Sequence, residues 1–320
     1  MKTYGVVFVD IENIDYEYIS EVCNNVIDKI KIVLKEEDAM SEVFYKNGEG
    51  ENMKIFEFSN GEIKEKELLI EALKIDINKK KIISFVGGGG KTSLIYELGH
   101  ELSKLGKKVI ITTTTHMFMP KSNVVLTGKE DDIVNLLYSE NMITVGMLCD
   151  EKNVKFENNQ LKNEKTFDRI KEGKLKKISG LPGSMAESLI ELADFVLVEA
   201  DGSKRLPLKI PAEHEPVILV GSNLVIGVCG IDAIGKSIEE ICHRPNLVSK
   251  FLNTDQEHII NESDIAKILL SDKGQRKDVK CDYKVIVNKV DNIESFEIGK
   301  NISNEFSKLG IYELILTTFK

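Results

Sequence analysis

The stretch IISFVGGGGKTS, running from Ile82 to Ser93, decides the fold. An apolar run of the length of a buried strand passes directly into four glycines, a lysine and a threonine. An amphipathic pattern then continues from Ser93 to Leu105. Strand, glycine-rich loop and helix in this order form the context in which a P-loop string carries a mechanism. Gly87, Gly88, Gly89 and Gly90 let successive backbone N–H groups turn toward an anion without Cβ obstruction. The helix opening at Lys91, Thr92 and Ser93 adds unpaired N–H groups and its dipole. Lys91 is placed to bridge β- and γ-phosphates, and the Thr92 hydroxyl to hold Mg²⁺. The full pattern G-x-x-x-x-G-K-[ST] has its first glycine where this chain has Phe85, so the loop is a shortened form.

On either side of the loop, apolar runs of five or six residues alternate with helical patterns. The runs are IISFV, KVIIT, ITVGML, FVLVEA, LVIGVC, KVIVN and ELILT, and the helices span Ser93 to Leu105, Asp131 to Tyr138, Met185 to Ala193 and Ile293 to Leu309. Short continuous apolar runs mark strands buried on both faces. The expectation is an α/β fold, a doubly wound and mostly parallel sheet of P-loop NTPase type, with ligands at the carboxyl ends of the strands. Upstream, a strand at Tyr4 to Val9, a helix around Tyr18 to Leu34 and a hairpin of Glu42 to Tyr45 with Lys54 to Phe58 suggest a small α+β extension over residues 1–62. A helix from Lys64 to Leu73 would link it to a nucleotide-binding domain over residues 63–320.

Two further strand ends carry chemistry. FVLVEADG places Glu199 and Asp201 at the end of an apolar strand, on one side of it, where either acid could reach a Mg²⁺ shell or orient a water. Gly202 frees a backbone N–H near the γ-phosphate. Lys91, Glu199 and Asp201 are the candidate catalytic set, and Thr92 with Asp201 the candidate Mg²⁺ set. VIVNKVD sets Asn288, Lys289 and Asp291 in the N-K-x-D spacing with which many GTPases read guanine. The Asp carboxylate accepts from N1–H and the exocyclic amine, the Asn supports the loop, and the Lys stem covers the base. Guanine is favoured over adenine, so the nucleotide is GTP or ATP, with Mg²⁺.

Other features carry less. Thr112 to Thr115, followed by His116, close the second strand where a γ-phosphate sensor would sit. Thr114 and Thr115 are the candidates, although four hydroxyls also suit simple strand capping. Gly180-Leu-Pro-Gly183-Ser184 precedes a helix and reads mainly as a structural turn. Glu213-His214-Glu215-Pro216 and Cys242-His243-Arg244-Pro245 put His214, His243 and Arg244 in two loops that could form a second site. The spacing matches no zinc pattern, which favours a structural His and an anion-contacting Arg.

A formal net charge of -9 works against broad binding of nucleic acid, and Lys79-Lys80-Lys81 reads as a solvated edge before a strand. Five cysteines without a C-x-x-C pair support neither a disulfide framework nor a zinc ribbon and fit a reducing cytoplasm. The apolar stretch from Val217 to Ile231 is broken at Gly221-Ser222-Asn223 and is too short to span a bilayer. The expectation is a soluble cytoplasmic protein with neither nucleic-acid nor membrane partners.

The segments FVGGGGKTS (85–93), VIITTTTHMFMP (109–120), GLPGSMAESLIELADFVLVEADGSKRLPLKIPAEHEPVI (180–218) and CHRPNL (242–247) together resemble the YqeC family. Its members are described as accessory proteins for selenium-dependent molybdenum hydroxylases. The resemblance runs from about Lys64 to the end of the chain and leaves out the first sixty or so residues. The shortened loop is similar to deviant P-loops of the metallochaperone and partitioning ATPase/GTPase class, with Val86 where many of those carry an extra lysine. The family pattern points to Lys91, Thr92, Thr112 to Thr115, Glu199 to Gly202, Glu213 to Pro216 and His243 to Pro245. It implies a partner, either the client molybdenum hydroxylase or proteins that assemble its cofactor. Two rivals stand beside a maturation NTPase: an ATP-dependent kinase or ligase-like transferase acting on a small precursor, and a nucleotide-sensing module without turnover.

Overall fold

The computed structural model describes residues 53–149, 156–157, 160–161 and 177–318. The expected elements at Tyr4 to Val9, Tyr18 to Leu34 and Glu42 to Tyr45 lie outside these. The chain divides into Met1–Gly50 and Glu51–Lys320, and only the second unit is described.

The strands of this unit, in chain order, begin with β1 (Lys54–Ser59), β2 (Glu62–Lys66), β3 (Lys81–Gly87), β4 (Val109–Thr113), β5 (His116–Phe118) and β6 (Val124–Val125). They continue with β7 (Met142–Val145), β8 (Met147–Leu148), β9 (Phe156–Glu157), β10 (Gln160–Leu161), β11 (Lys177–Ser179) and β12 (Phe195–Glu199). The last are β13 (Leu208–Lys209), β14 (Ser222–Gly230), β15 (Cys242–His243), β16 (Asp282–Asn288) and β17 (Glu313–Thr318). One sheet of ten strands runs in the order β2-β1-β17-β16-β14-β3-β12-β4-β7-β6. From β17 to β6 every neighbouring pair is parallel, and β1 and β2 add an antiparallel edge. The expected α/β sheet is therefore present, and all seven apolar runs named above contribute strands to it.

The period of two along the parallel strands splits the core between the two faces. Ile83, Phe85, Ile111, Phe195 and Leu197 meet Leu94, Ile95, Leu98 and Leu102 of the helix Lys91–Lys104 on one face. Ile82, Ile110, Val196 and Val198 meet Leu137 of the helix Glu130–Ser139 and Leu189 of the helix Gly183–Leu192 on the other. Phe85, which replaces the first glycine of a full P-loop, is fully buried. It belongs to the core, and the loop begins only after it.

The first part of this unit differs from expectation. Lys54–Ser59 pairs with β17 and with Glu62–Lys66, so it is a strand of the main sheet. The expected helix from Lys64 to Leu73 is a strand to Lys66 and a four-residue helix at Leu69–Ala72. The alternation of charge and side-chain length in EIKEK suits an exposed edge strand. Two helices that the apolar runs did not suggest, Pro245–Leu252 and Glu262–Leu270, cover the region after β15, the second opened by a capping box of Asn261 and Asp264. No helix among the described residues is long and apolar enough to cross a membrane.

Candidate functional site

Strand order assembles the site. The glycine loop follows β3, whose parallel neighbours are β12 on one side and β14 on the other, with β16 next along. The ends of β3, β12 and β16 therefore bring the glycine loop, the two acids and the N-K-x-D segment to the carboxyl edge of the sheet, as expected for an open α/β sheet.

The loop itself is tightly held. Gly89 has φ of +73°, and a Cβ there would lie 2.0 Å from the Gly230 backbone nitrogen. Gly90 has φ of +117° as the residue that opens the helix Lys91–Lys104. The Gly88 N–H donates to Val228 O at 2.9 Å and the Gly89 N–H to Leu206 O at 3.1 Å. These two amides fix the loop to its neighbours. Among the described residues, the N–H groups of Gly90, Lys91, Thr92 and Ser93 have no protein acceptor, so they are the donors that a phosphate can use.

The two acids do different things. Thr92 Oγ1 donates to Glu199 Oε2 at 2.7 Å. Burial pushes the Glu199 carboxyl above its ordinary range, against the opposing pull of Lys91 and Thr92. Asp201 instead accepts from the Gly87 N–H with both oxygens at 3.0 Å and pairs with Lys91 Nζ at 3.1 Å. Lys91 also donates to Gly87 O at 2.5 Å. Of the two expected Mg²⁺ candidates, Thr92 donates to Glu199, while Asp201 meets Gly87 and Lys91. Although both acids leave β12 on one side, Asp201 stands past the end of the strand, where the chain turns it toward Gly87. A threonine hydroxyl beside a carboxylate is a hard oxygen pair of the kind that holds Mg²⁺ together with phosphate oxygens and water, so Thr92 and Glu199 fit that ion. Gly202 is not forced by sterics, since a Cβ there would meet nothing within 4 Å; its carbonyl accepts from Lys209.

The Asn288-Lys289-Val290-Asp291 segment sits against the loop. Asn288 is buried; its Nδ2 donates to Gly89 O at 2.8 Å, and its Oδ1 accepts from Thr317 at 2.9 Å. Asp291 accepts from the Thr318 hydroxyl at 2.6 Å, and Lys289 pairs with Asp232 at 2.7 Å. Three of the four threonines at the end of β4 donate their hydroxyls to backbone carbonyls. Thr112 donates to Val145 O, Thr113 to Glu199 O and Thr114 to Val217 O, while the Thr115 N–H donates to Thr113. Gly180 packs against the same strand end, where a Cβ would lie 1.8 Å from Thr113 O, so its turn has a steric reason.

The two loops singled out as a second site join the first. β13 and β15 pair in parallel, setting Lys209 beside His243. Lys209 is fully buried, and its ammonium donates to Gly202 O at 2.8 Å and Glu215 Oε2 at 2.6 Å and pairs with Asp201 Oδ2 at 3.1 Å. Arg244 grips both oxygens of Glu215. Lys277 braces the same loop at Ala212 O, Glu213 O and Glu215 O. Burial alone would raise the Glu215 carboxyl, but the bonds from Arg244 and Lys209 outweigh it and hold it at about 2. His243 is buried, and burial together with the neighbouring Arg244 and Lys209 lowers it to about 4, so its ring is neutral near pH 7. His214 is exposed. Among the described residues no three His, Cys, Asp or Glu side chains form a metal cluster, and Arg244 meets a carboxylate of its own chain.

Sequence reasoning passed over Lys209 and Gln275. Lys209 sits alone in the apolar run LPLKI, a placement a lysine tolerates only with partners. Gln275 carried no such signal. Its carboxamide is buried with neither polar atom partnered, and its Oε1 lies 2.3 Å from where a Gly87 Cβ would be. Unpaired buried polar atoms at the loop and open amides at the helix start are what a polar ligand would satisfy.

A sequence model of the family described as "YqeC protein" matches residues 83–246, which hold the loop, both acids and the Lys209, Glu215 and Arg244 network. The chain is 32% identical over 214 residues to an uncharacterized protein YqeC of Escherichia coli (strain K12), covering 65% of this chain and 76% of that protein. With the match spanning more than half of its length and most of that relative, the chain belongs to the YqeC family.

Proposed function

We propose that the chain is a P-loop NTPase, with GTP favoured over ATP, that couples nucleotide binding and slow hydrolysis to maturation of a molybdenum- and selenium-containing hydroxylase. One observation carries the nucleotide part. Asn288, the first residue of N-K-x-D, donates to the carbonyl of Gly89 in the glycine loop, which supports reading the two segments as one nucleotide site at the sheet edge. In this reading Lys91 meets the β- and γ-phosphates, and the amides of Gly90 to Ser93 cradle them. Asp291 exchanges the Thr318 hydroxyl for the two guanine donors. Thr92 and Glu199 would hold Mg²⁺, which when bound neutralises charge on the phosphates. Glu199 is better placed for that than Asp201. The client rests on the family's description alone.

The rival, transfer to a small acceptor, draws on the wiring of the Glu215 and Arg244 loops to Asp201 through Lys209. A small acceptor that speeds nucleotide consumption and leaves as a modified product would put that rival first.

The test is thermal unfolding with Mg²⁺ and GTP, ATP or neither. Ligand at about a hundred times its dissociation constant adds about 2.7 kcal/mol, a melting shift of roughly 5 to 10 °C for a chain of this size. GTP is expected to give that shift, ATP little of it, and Lys91→Ala none with either. Equal shifts in Lys91→Ala and wild type would remove the P-loop reading.

A further inference from the structure

Five charged side chains run in one line of contact from the glycine loop into the β13–β15 layer: Lys91, Asp201, Lys209, Glu215 and Arg244. The line begins and ends on a cation. At its loop end the Asp201 carboxylate sits among three donors, the Gly87 N–H at 3.0 Å, Lys91 at 3.1 Å on one oxygen and Lys209 at 3.1 Å on the other. One backbone amide and two ammonium groups, fixed around a tetrahedral or planar oxyanion, make a phosphate-type site. Asp201 holds this place as an anion of the chain's own.

Lys209 is well fixed for that role. It is fully buried and cannot turn to solvent, and Gly202 O and Glu215 fill two of its three donor directions, leaving the third aimed at Asp201. Arg244 from the far side holds both oxygens of Glu215, so Lys209 keeps that partner and its direction even if Asp201 moves away. A lysine that served only to neutralise Asp201 would not need that carboxylate to stand on the loop amide and on Lys91 as well.

We propose that Lys209 is a second phosphate-binding cation, and that the terminal phosphate of a bound nucleoside triphosphate displaces the Asp201 carboxylate from between Lys91 and Lys209. The inference rests on the P-loop reading above. It makes Asp201 a resident competitor for the terminal phosphate, and it makes Lys209 a discriminator of triphosphate from diphosphate, since only the triphosphate reaches the place Asp201 vacates. Glu215 and Arg244 are positioning residues that act through Lys209.

The experiment is calorimetric titration of the full chain with GTPγS and GDP, with ATPγS and ADP in parallel, each with and without Mg²⁺. The proteins are wild type, Lys209→Gln and Asp201→Asn, with circular dichroism to check the fold. Lys209→Gln is expected to weaken the triphosphate analogue at least tenfold and the diphosphate less than threefold. Asp201→Asn, which keeps the shape and removes the competing charge, is expected to tighten the triphosphate analogue severalfold, with or without Mg²⁺. Equal losses for both nucleotides in Lys209→Gln, or no loss, would make Lys209 a scaffold cation and overturn the proposal. So would weaker triphosphate binding in Asp201→Asn, the result expected of a Mg²⁺ ligand. Should Lys209→Gln fail to fold, the nearly isosteric Asp201→Asn decides alone. A wild type that binds no nucleotide sinks the P-loop reading and this inference together; a wild type that binds but shows none of these differences sinks this inference only.

Discussion

At the scale of single residues, the proposed base choice rests on one carboxylate, Asp291, and the proposed contest for the terminal phosphate on another, Asp201. The placement of Asn288 to Asp291 at a strand end was legible because N-K-x-D follows an apolar run of strand length. The contacts of Asp201 with Gly87, Lys91 and Lys209 were not, because strand alternation predicts which side a residue leaves from and not what the turn after the strand does. Lys209 escaped for a similar reason: its partners come from the turns before and after β13, whose paths no local rule predicts. The Asp291 reading yields a prediction. A carboxylate accepts from guanine N1–H and the exocyclic amine, and adenine offers neither donor there. Asp291→Asn places an amide donor where xanthine has its 2-oxo group, so the variant is expected to lose GTP and gain xanthosine triphosphate. A buried polar group left unpaired costs about 1–3 kcal/mol, so the loss of GTP affinity should be about tenfold or more. Competition binding with the three nucleotides measures it, and an unchanged preference would leave Asn288 to Asp291 as a loop brace alone.

At the scale of elements, the strand, loop and helix around Lys91 were readable because each part obeys a local rule: an apolar run, residues without Cβ, and an i, i+4 apolar stripe. The short helix at Leu69–Ala72 and the helices Pro245–Leu252 and Glu262–Leu270 were not. Four residues cannot display a helical period, and the other two lie among loops whose apolar content reads equally as buried turn. The glycines split in the same way. Gly89 needs its φ of +73°, and a Cβ would strike the Gly230 nitrogen at 2.0 Å, whereas Gly202 has open space and needs neither. Gly89→Ala is therefore expected to destabilise the fold by about 1–3 kcal/mol, the range for forcing an extra methyl into a packed site. Gly202→Ala should stay within about 0.5 kcal/mol and, since alanine keeps its N–H, should leave nucleotide binding intact. Urea unfolding of both variants separates them, and equal costs would show that the loop does not pack as described.

At the scale of the whole unit, the short helix that follows β2 is tied to the helix Lys91–Lys104 through one acid. Glu101 accepts from the Leu69 N–H at 2.7 Å and the Ile70 N–H at 2.9 Å, satisfying the start of the short helix at Leu69–Ala72. The site therefore depends on residues the sequence had assigned to an extension and its linking helix: β1 borders β17, whose Thr317 and Thr318 hold Asn288 and Asp291, while the following short helix hangs from the helix that starts at Lys91. Burial pushes the Glu101 carboxyl up to about 7, and the two backbone bonds oppose it without winning. The sign of its pH effect follows. Between the ordinary carboxylate value near 4.5 and about 7, the folded chain holds a proton on Glu101 that the unfolded chain has released, so stability falls as pH rises through that window. Below about 4.5 both states are protonated and the penalty is absent; above about 7 it is complete, roughly 2 kcal/mol after allowance for partial solvent access. Glu215 acts in the opposite direction, since its lowered carboxyl adds stability above about 4.5 that is lost as pH falls toward 2. Glu101→Gln is neutral at every pH and keeps one acceptor oxygen for the pair of amides. Chemical unfolding of wild type and variant at several pH values from 4.5 to 8 is expected to show wild type declining relative to Glu101→Gln by that amount as pH rises, with the two curves parallel above about 7. A difference that stays constant across the window would mean that Glu101 is ionised throughout and that its two amide bonds outweigh its burial.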